Sequence, residues 1–135
     1  MMDRDFVASV VREILIDVLA VEAEEAVGSA RFFLELDGES IDLLETQFQI
    51  EKKLKISVNF QKVLGGESLP TDNAGHLTAD ALATIRAALP FLDFTRLPER
   101  VTLDSLIREL LTVDAIRDIT WNAVQSQSNA MPLPA

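Results

Sequence analysis

The sequence predicts an all-α fold, a small four-helix bundle with an extra helical insertion. Apolar residues recur at three- and four-residue spacing through most of the chain, as in amphipathic helices. No segment shows the apolar–polar alternation that is typical of a half-buried strand. The length of 135 residues and the hydrophobic content of 48% fit one domain with a packed core.

Two helices are predicted in the first half of the chain. The first covers 5–19, and either Asp3 or Asp5 can accept hydrogen bonds at its start. Its apolar residues are Phe6, Val7, Val10, Val11, Ile14, Leu15, Val18 and Leu19. The second covers 40–55, with acidic residues at its start and lysines at its end, as the helix dipole favours. Its predicted apolar side consists of Ile41, Leu43, Leu44, Phe48, Ile50 and Leu54.

A loop over 22–39 joins these helices, and its apolar residues should hold it against the core. These residues are Phe33, Leu34 and Leu36. After the second helix, glycines, prolines and short polar residues make 60–77 irregular, and Gly65-Gly66 reads as a turn because no phosphate-loop lysine pattern accompanies it.

The second half contains three shorter predicted helices. Thr78 starts one that Pro90 ends, and Thr102 caps the next, whose apolar residues are Leu103, Leu106, Ile107, Leu110 and Leu111. The last runs from Asp114 to about Val124, where Trp121 should serve as a core anchor.

These elements predict one domain over residues 1–124, with an insertion at about 60–100. Residues 125–135 are rich in Gln, Ser, Asn and Pro, which predicts a flexible C-terminal tail.

The net charge of −10 is confined to the first half of the chain. Residues 1–51 hold 13 acidic and three basic residues, whereas 52–135 hold nine of each. Such a chain is a poor partner for nucleic acid, which requires a basic face. The acidic half favours either a docking surface for basic proteins or simple solubility.

Composition also excludes several kinds of chemistry. The absence of cysteine removes disulfides, thiolate metal sites and cysteine nucleophiles, and the single histidine, His76, cannot form a multi-histidine metal site. His76 lies in a breaker-rich segment, where we expect a solvated side chain rather than a catalytic base. No apolar run is long enough for a membrane helix, and the acidic N-terminus lacks a signal peptide, which predicts a cytoplasmic monomer that does not insert into membranes.

The most informative segment surrounds Ser40, at the start of the second helix. Ser40 follows Gly38 and Glu39, and acidic residues continue along the helix. An anion attached at a helix start faces unpaired backbone N–H groups. Serine is also a favoured N-cap residue, so plain helix capping is the alternative explanation of Ser40.

This segment resembles the modification site of acyl and peptidyl carrier proteins, roughly Phe-Phe-x-Leu-Gly-Gly-Asp-Ser-Leu/Ile. The matching positions are Phe33, Leu34, Leu36, Gly38, Glu39, Ser40 and Ile41. Asp37 departs from the pattern because it replaces the first glycine, and Glu39 departs because it replaces the aspartate. The chain also has about 40 residues between Val58 and Val101, where the family has far fewer. The resemblance covers 5–58 and, loosely, 101–112, where the last helix of the family would fall.

The resemblance implies a non-enzymatic acyl carrier with a carrier-protein-like bundle. Ser40 would carry covalent 4′-phosphopantetheine, whose thiol holds the acyl chain as a thioester. The implied partners are a phosphopantetheinyl transferase and acyl-transferring, acyl-activating or condensing enzymes with basic patches. The residues expected to meet them are Asp37, Glu39, Ile41, Asp42, Glu45 and Phe48.

Three alternatives stay open at this point. Asp104-Ser105-Leu106 also has the carrier tripeptide form, although it lies within an apolar helical stripe. The whole chain could instead be a small acidic adaptor without a prosthetic group. The insertion could enlarge a chain-binding cavity, supply a partner-specific surface or merely cover the core.

Overall fold

The computed structural model describes residues 3–63, 69–95, 97–98 and 100–130. The described part contains six helical segments and no strand, with only two isolated β-bridges. The segments are α1 (Arg4–Leu19), α2 (Ser40–Leu54), α3 (Phe60–Val63), α4 (Ala79–Ala88), α5 (Leu103–Leu110) and α6 (Val113–Ala130). The prediction of an all-α bundle is confirmed. None of the described helices combines the length and hydropathy that crossing a bilayer would require.

Helix α1 lies at the centre of the bundle and packs against both α2 and α6. The Asp3 carboxylate accepts a hydrogen bond from the Phe6 amide at 2.8 Å, so Asp3, rather than Asp5, caps the helix. The residues that α1 buries are Val7, Val11, Ile14 and Leu15. Phe6, which belongs to the apolar residues predicted for this helix, lies outside the buried face and is 50% exposed.

Helix α2 has two apolar rows, and only one of them is buried. Leu43, Ile50 and Leu54 face the core, together with Thr46, whose hydroxyl donates to the Asp42 carbonyl at 2.8 Å. The other row consists of Ile41, Leu44 and Phe48, which are 70%, 58% and 57% exposed. The two adjoining rows were predicted to form one apolar side, but both cannot face the same neighbouring helix. The exposure of Ile41 and Phe48 is compatible with their expected contact with partners.

The loop before α2 is held to the core, as its apolar residues predict. The Phe32 amide donates to the Leu111 carbonyl at 2.8 Å, and the Val113 amide donates to the Ala30 carbonyl at 2.9 Å. The Phe32 side chain is fully buried, whereas Leu34 is 42% exposed. The main anchor of the loop is therefore Phe32, and the expectation for Leu34 was wrong.

Helix α6 is longer than the predicted 114–124. It continues to Ala130, and the Gln127 side chain makes two hydrogen bonds to the backbone of Ser57, at 2.8 and 2.6 Å. These bonds hold α6 against the segment after α2, so residues 125–130 of the predicted flexible tail are helical. Residues 131–135 lie outside the described residues. Trp121 is half-buried and packs against the core, as expected.

The second half of the chain contributes to the same core as the first. One cluster of buried side chains includes Leu77, Ile85 and Leu92 from the insertion as well as Val11 and Ile14 from α1. Thr78 and Thr102 cap α4 and α5, as predicted. The helices in extensive contact with α1 are α2 and α6, whereas α5 (Leu103–Leu110) occupies the range 101–112 in which the family's last helix was expected, and that correspondence stays a prediction. Gly65-Gly66 lies outside the described residues.

Candidate functional site

Ser40 is the first residue of α2, and its side chain is exposed. No described residue makes a hydrogen bond with its hydroxyl. The backbone N–H groups of Ser40 and Ile41 likewise have no acceptor within the described residues, because the first intrahelical bond runs from the Leu43 amide to the Glu39 carbonyl. A free hydroxyl therefore lies beside free amide donors, which suits a covalently attached anion.

Another pair of residues caps this helix. Glu39 occupies the N-cap position, and the Asp42 carboxylate accepts a hydrogen bond from the Glu39 amide at 2.9 Å. This is one of the bonds of a capping box. The alternative explanation of Ser40 as the N-cap is therefore wrong, and the serine hydroxyl is left without a structural task.

Gly38 fixes the path of the chain into α2. It is buried and donates its amide hydrogen to the Phe32 carbonyl at 2.9 Å. A Cβ atom at this position would overlap the Phe32 ring. The glycine is required here because the backbone and the ring approach so closely.

Asp37 explains how the chain does without a glycine at this position. Its φ of 56° lies in the left-handed region, which most residues avoid. Aspartate is one of the few other residues that adopt this conformation at modest cost. Aspartate at this position therefore keeps the backbone conformation that a glycine would allow. It also adds an exposed carboxylate close to Ser40.

Contacts with α5 hold the loop that carries Ser40. Arg31 bonds to Glu35 at 3.0 Å and to Glu109 at 2.7 Å. The hydrogen bond with Glu35, followed by that with Glu109, raises the pKa of the Arg31 guanidinium. Arg108 lies over the Phe33 ring, 5.4 Å from its centre. Sequence reasoning missed these contacts because they join positions about 75 residues apart in the chain.

The predicted partner residues share the outer surface of α2 and its approach. Asp37, Glu39 and Glu45 are exposed, and Asp42 is half-buried because it faces the Glu39 amide. Ile41 and Phe48 are exposed as well. Leu44 lies between them, one turn from each, and was missed as a surface residue because it was assigned to the core. We call Ile41, Leu44 and Phe48 the exposed apolar row.

The competing serine, Ser105, has a different environment. It is half-buried in α5, and its hydroxyl accepts a hydrogen bond from the Thr102 hydroxyl at 3.0 Å. Its backbone amide donates to the same Thr102 oxygen at 3.0 Å, which completes the N-cap. The hydroxyl and the backbone amide of Ser105 therefore both bond to the N-cap residue of α5.

His76 forms no catalytic arrangement with the described residues. Its Nδ1 atom is shielded from solvent, and the nearest carboxylate oxygen recorded for it, on Asp72, is 3.8 Å away. The hydrogen bond from the His76 backbone amide lowers the pKa of Asp72, so this carboxylate serves the 71–77 turn. The expectation of a solvated His76 was wrong, since the ring is half-buried.

A comparison with protein families covers the segment that contains Ser40. Residues 9–71 match the family described as phosphopantetheine attachment site, a range that contains α1, α2 and α3. Searches of the curated proteins and of the solved structures found no significant match. Domains of the matched family carry covalent 4′-phosphopantetheine and are not catalytic themselves, as the sequence resemblance implied. This match covers slightly less than half of the chain and supports a relationship to the phosphopantetheine-binding carrier proteins.

Proposed function

We propose that Ser40 is the attachment residue and that the protein holds an acyl chain, presenting it to separate enzymes. One observation carries this proposal: the Ser40 hydroxyl is exposed and free at the start of α2, while Glu39 and Asp42 cap the helix. A transferase must reach the hydroxyl, and a serine engaged as the cap would have to give up a hydrogen bond first.

The residues around Ser40 fit the attached group. A negative charge attached at Ser40 would be stabilised by the backbone N–H groups of Ser40 and Ile41 and by the positive end of the helix dipole. The prosthetic group supplies the thiol that bonds the acyl chain as a thioester, so the chain needs no cysteine. The protein contributes a rigid first turn, set by Gly38 on Phe32, that presents the hydroxyl to solvent.

The surface of α2 supports transient docking to enzymes with basic patches. Exposed carboxylates at Asp37, Glu39 and Glu45 border the exposed apolar row. Charges at the edge of an interface speed encounter more than they strengthen binding, which suits a carrier that must leave quickly. The proposed partners are a phosphopantetheinyl transferase and acyl-transferring, acyl-activating or condensing enzymes.

The pathway belongs to the same proposal. We propose a specialised fatty-acid, lipid or secondary-metabolite pathway, in which a monomeric carrier meets its enzymes in the cytoplasm without inserting into membranes. The long segment between α2 and α5, which differs from the family pattern, supports a specialised role.

Intact-mass measurement tests the attachment residue. The protein is incubated with coenzyme A and a broad-specificity phosphopantetheinyl transferase. We expect the wild type and Ser105→Ala to gain one phosphopantetheine and Ser40→Ala to gain none. Circular dichroism of Ser40→Ala should match the wild type, because the hydroxyl makes no hydrogen bond within the described structure. Modification of Ser40→Ala, or an unmodified wild type, would refute the proposal, and the latter would favour the adaptor without a prosthetic group.

A further inference from the structure

All four lysines of the chain lie between residues 52 and 62. Lys52, Lys53, Lys55 and Lys62 are exposed, and their side chains make no ion pair or hydrogen bond in the described structure. Four of the arginines, in contrast, pair with carboxylates: Arg4, Arg31, Arg108 and Arg117. The fold therefore leaves the lysines unused, in a protein whose net charge is −10.

One of these lysines, Lys62, lines a groove of about 220 Å³. Ser57, which follows Lys55 by two residues in the chain, also lines this groove. The apolar residues lining the groove are Val58, Val63, Leu89, Ile119 and Ala123. Asn59 and Gln127 lie beside them, so the groove combines apolar and polar groups next to a positive charge.

We propose that Lys52, Lys53, Lys55, Lys62 and this groove form a second docking surface, for a protein segment that carries an apolar side chain flanked by acidic residues. Charge complementarity selects an acidic segment, and the concave groove can receive its apolar side chain. A flat bilayer would meet the lysines without filling the groove. A nucleic acid would be repelled by the acidic remainder of the molecule.

The position of this surface separates it from Ser40. Helix α2 has 15 residues, so its two ends are about 22 Å apart at 1.5 Å per residue. Ser40 lies at the acidic end, and Lys52 and Lys53 lie in the last turn. A partner at the lysine end leaves Ser40 accessible, so the carrier can be held in place while a second protein acts at Ser40.

A defined peptide provides the test. The probe is a synthetic peptide with a central Phe and two Glu residues on each side, titrated into the full-length protein at low salt while the backbone amide NMR signals are followed. We expect the shifts to concentrate in 55–63 and 119–127. Lys52→Glu/Lys53→Glu/Lys62→Glu should weaken binding at least about tenfold, because it replaces three of the four proposed attractive charges with repulsive ones. The matching Lys→Arg variant should bind like the wild type.

Further controls separate the lysine surface from general charge effects and from the proposed function. Arg100→Glu reverses an exposed basic residue that does not line the groove and should leave binding unchanged. Ser40→Ala should also bind normally, since the surface does not depend on attachment. A peptide with Gln in place of every Glu should bind at least about tenfold more weakly, because it lacks the charge.

Several outcomes would overturn the proposal. Absence of binding, equal binding of the Gln peptide, or shifts centred on the exposed apolar row would each do so. Binding to phosphatidylserine vesicles but not to the peptide would assign the lysines to a membrane. A dimer in sedimentation velocity that the triple lysine variant abolishes would make a second copy the occupant.

Discussion

The chain contains two serines in similar local sequences, and their environments are opposite. Glu39-Ser40-Ile41 and Asp104-Ser105-Leu106 both lie in the first turn of an amphipathic helix. Ser40 is exposed and its hydroxyl has no partner within the described structure, whereas Ser105 is half-buried and bonded to Thr102. Ile41 is 70% exposed, but Leu106 is fully buried.

The difference arises from the residue that forms the N-cap of each helix. In α2 the preceding acid, Glu39, is the N-cap, so the serine is the first helical residue and remains free. In α5 the cap is Thr102, so the serine is the third helical residue and contributes its amide to the cap. The two tripeptides therefore differ in the position of the N-cap, which lies directly before Ser40 but three residues before Ser105, where the Thr102 hydroxyl can bond to both the serine hydroxyl and the serine amide.

The largest effect is expected for Gly38→Ala, which changes the loop that leads into the helix of Ser40 and leaves the helix of Ser105 unchanged. The new Cβ would overlap the buried Phe32 ring, so the ring or the loop must move. Overpacking of this kind typically costs about 1–3 kcal/mol. We expect a lower free energy of unfolding in urea and slower loading of Ser40 with phosphopantetheine.

A second substitution tests whether the stability lost in Gly38→Ala comes from overlap with the Phe32 ring. Phe32→Leu makes room at the position of the clash, so Gly38→Ala should cost less in the Phe32→Leu background than in the wild type. Gly75→Ala is the matched control, because no atom lies near its position and its cost comes only from a φ of 83°. It should leave loading unchanged. Full stability and full loading in Gly38→Ala would mean that the close approach of Gly38 to Phe32 is not needed to present Ser40.

The sequence predicted the elements of the fold better than the faces that they bury. Apolar periodicity and caps located α1, α2, α4 and α5 to within one or two residues, because these signals are local. Periodicity could not decide which of two adjoining rows on α2 faces the core, because that choice depends on where α1 lies. Leu44 was therefore placed on the apolar side of the helix without a role at the surface, although it is as exposed as Phe48, which was expected to meet partners.

At the site, the motif identified Ser40 but not the contacts that hold it. Resemblance to a local pattern locates Gly38, Glu39 and Ser40 without any knowledge of distant contacts. The ion pair of Arg31 with Glu109 and the hydrogen bond of Ser57 with Gln127 join positions far apart in the chain. No local sequence pattern therefore encodes them. The extension of α6 to Ala130 was missed for the same reason, since its polar sequence predicts little structure without the contact to Ser57.

A smaller effect is expected at the other serine. Thr102→Ala removes the N-cap of α5 and the hydrogen bond to the Ser105 hydroxyl. Loss of a threonine cap costs about 1 kcal/mol, so the urea midpoint should fall modestly. Loading should stay at Ser40, which peptide mapping of the modified protein would report. Phosphopantetheine on Ser105 in this variant would mean that Thr102 alone prevents its modification.

Arg31→Met tests whether α5 helps to hold the loop before Ser40. It removes the bonds to Glu35 and Glu109, which are partly exposed, so a loss of about 1 kcal/mol is expected. Amide hydrogen exchange should increase in residues 31–38 and little in α2. Arg4→Met is the matched control, because it breaks an exposed ion pair with Asp118 away from this loop. Equal exchange increases in both variants would contradict a specific role for Arg31.

The smallest effect on stability is expected for Glu45→Lys, because Glu45 is exposed. The substitution removes a surface hydrogen bond, which the Gln49 side chain donates to the Glu45 carboxylate at 3.0 Å. The reversal places a positive charge where the proposed partners carry basic residues, so loading by the transferase should slow severalfold, mainly through the association rate. The defect should shrink as salt is added, since screening weakens exposed charges. Glu13→Lys makes the same charge change on α1, where the carboxylate is also exposed, and should load like the wild type. Equal slowing in Glu13→Lys would mean that total charge, rather than the surface beside Ser40, governs the encounter.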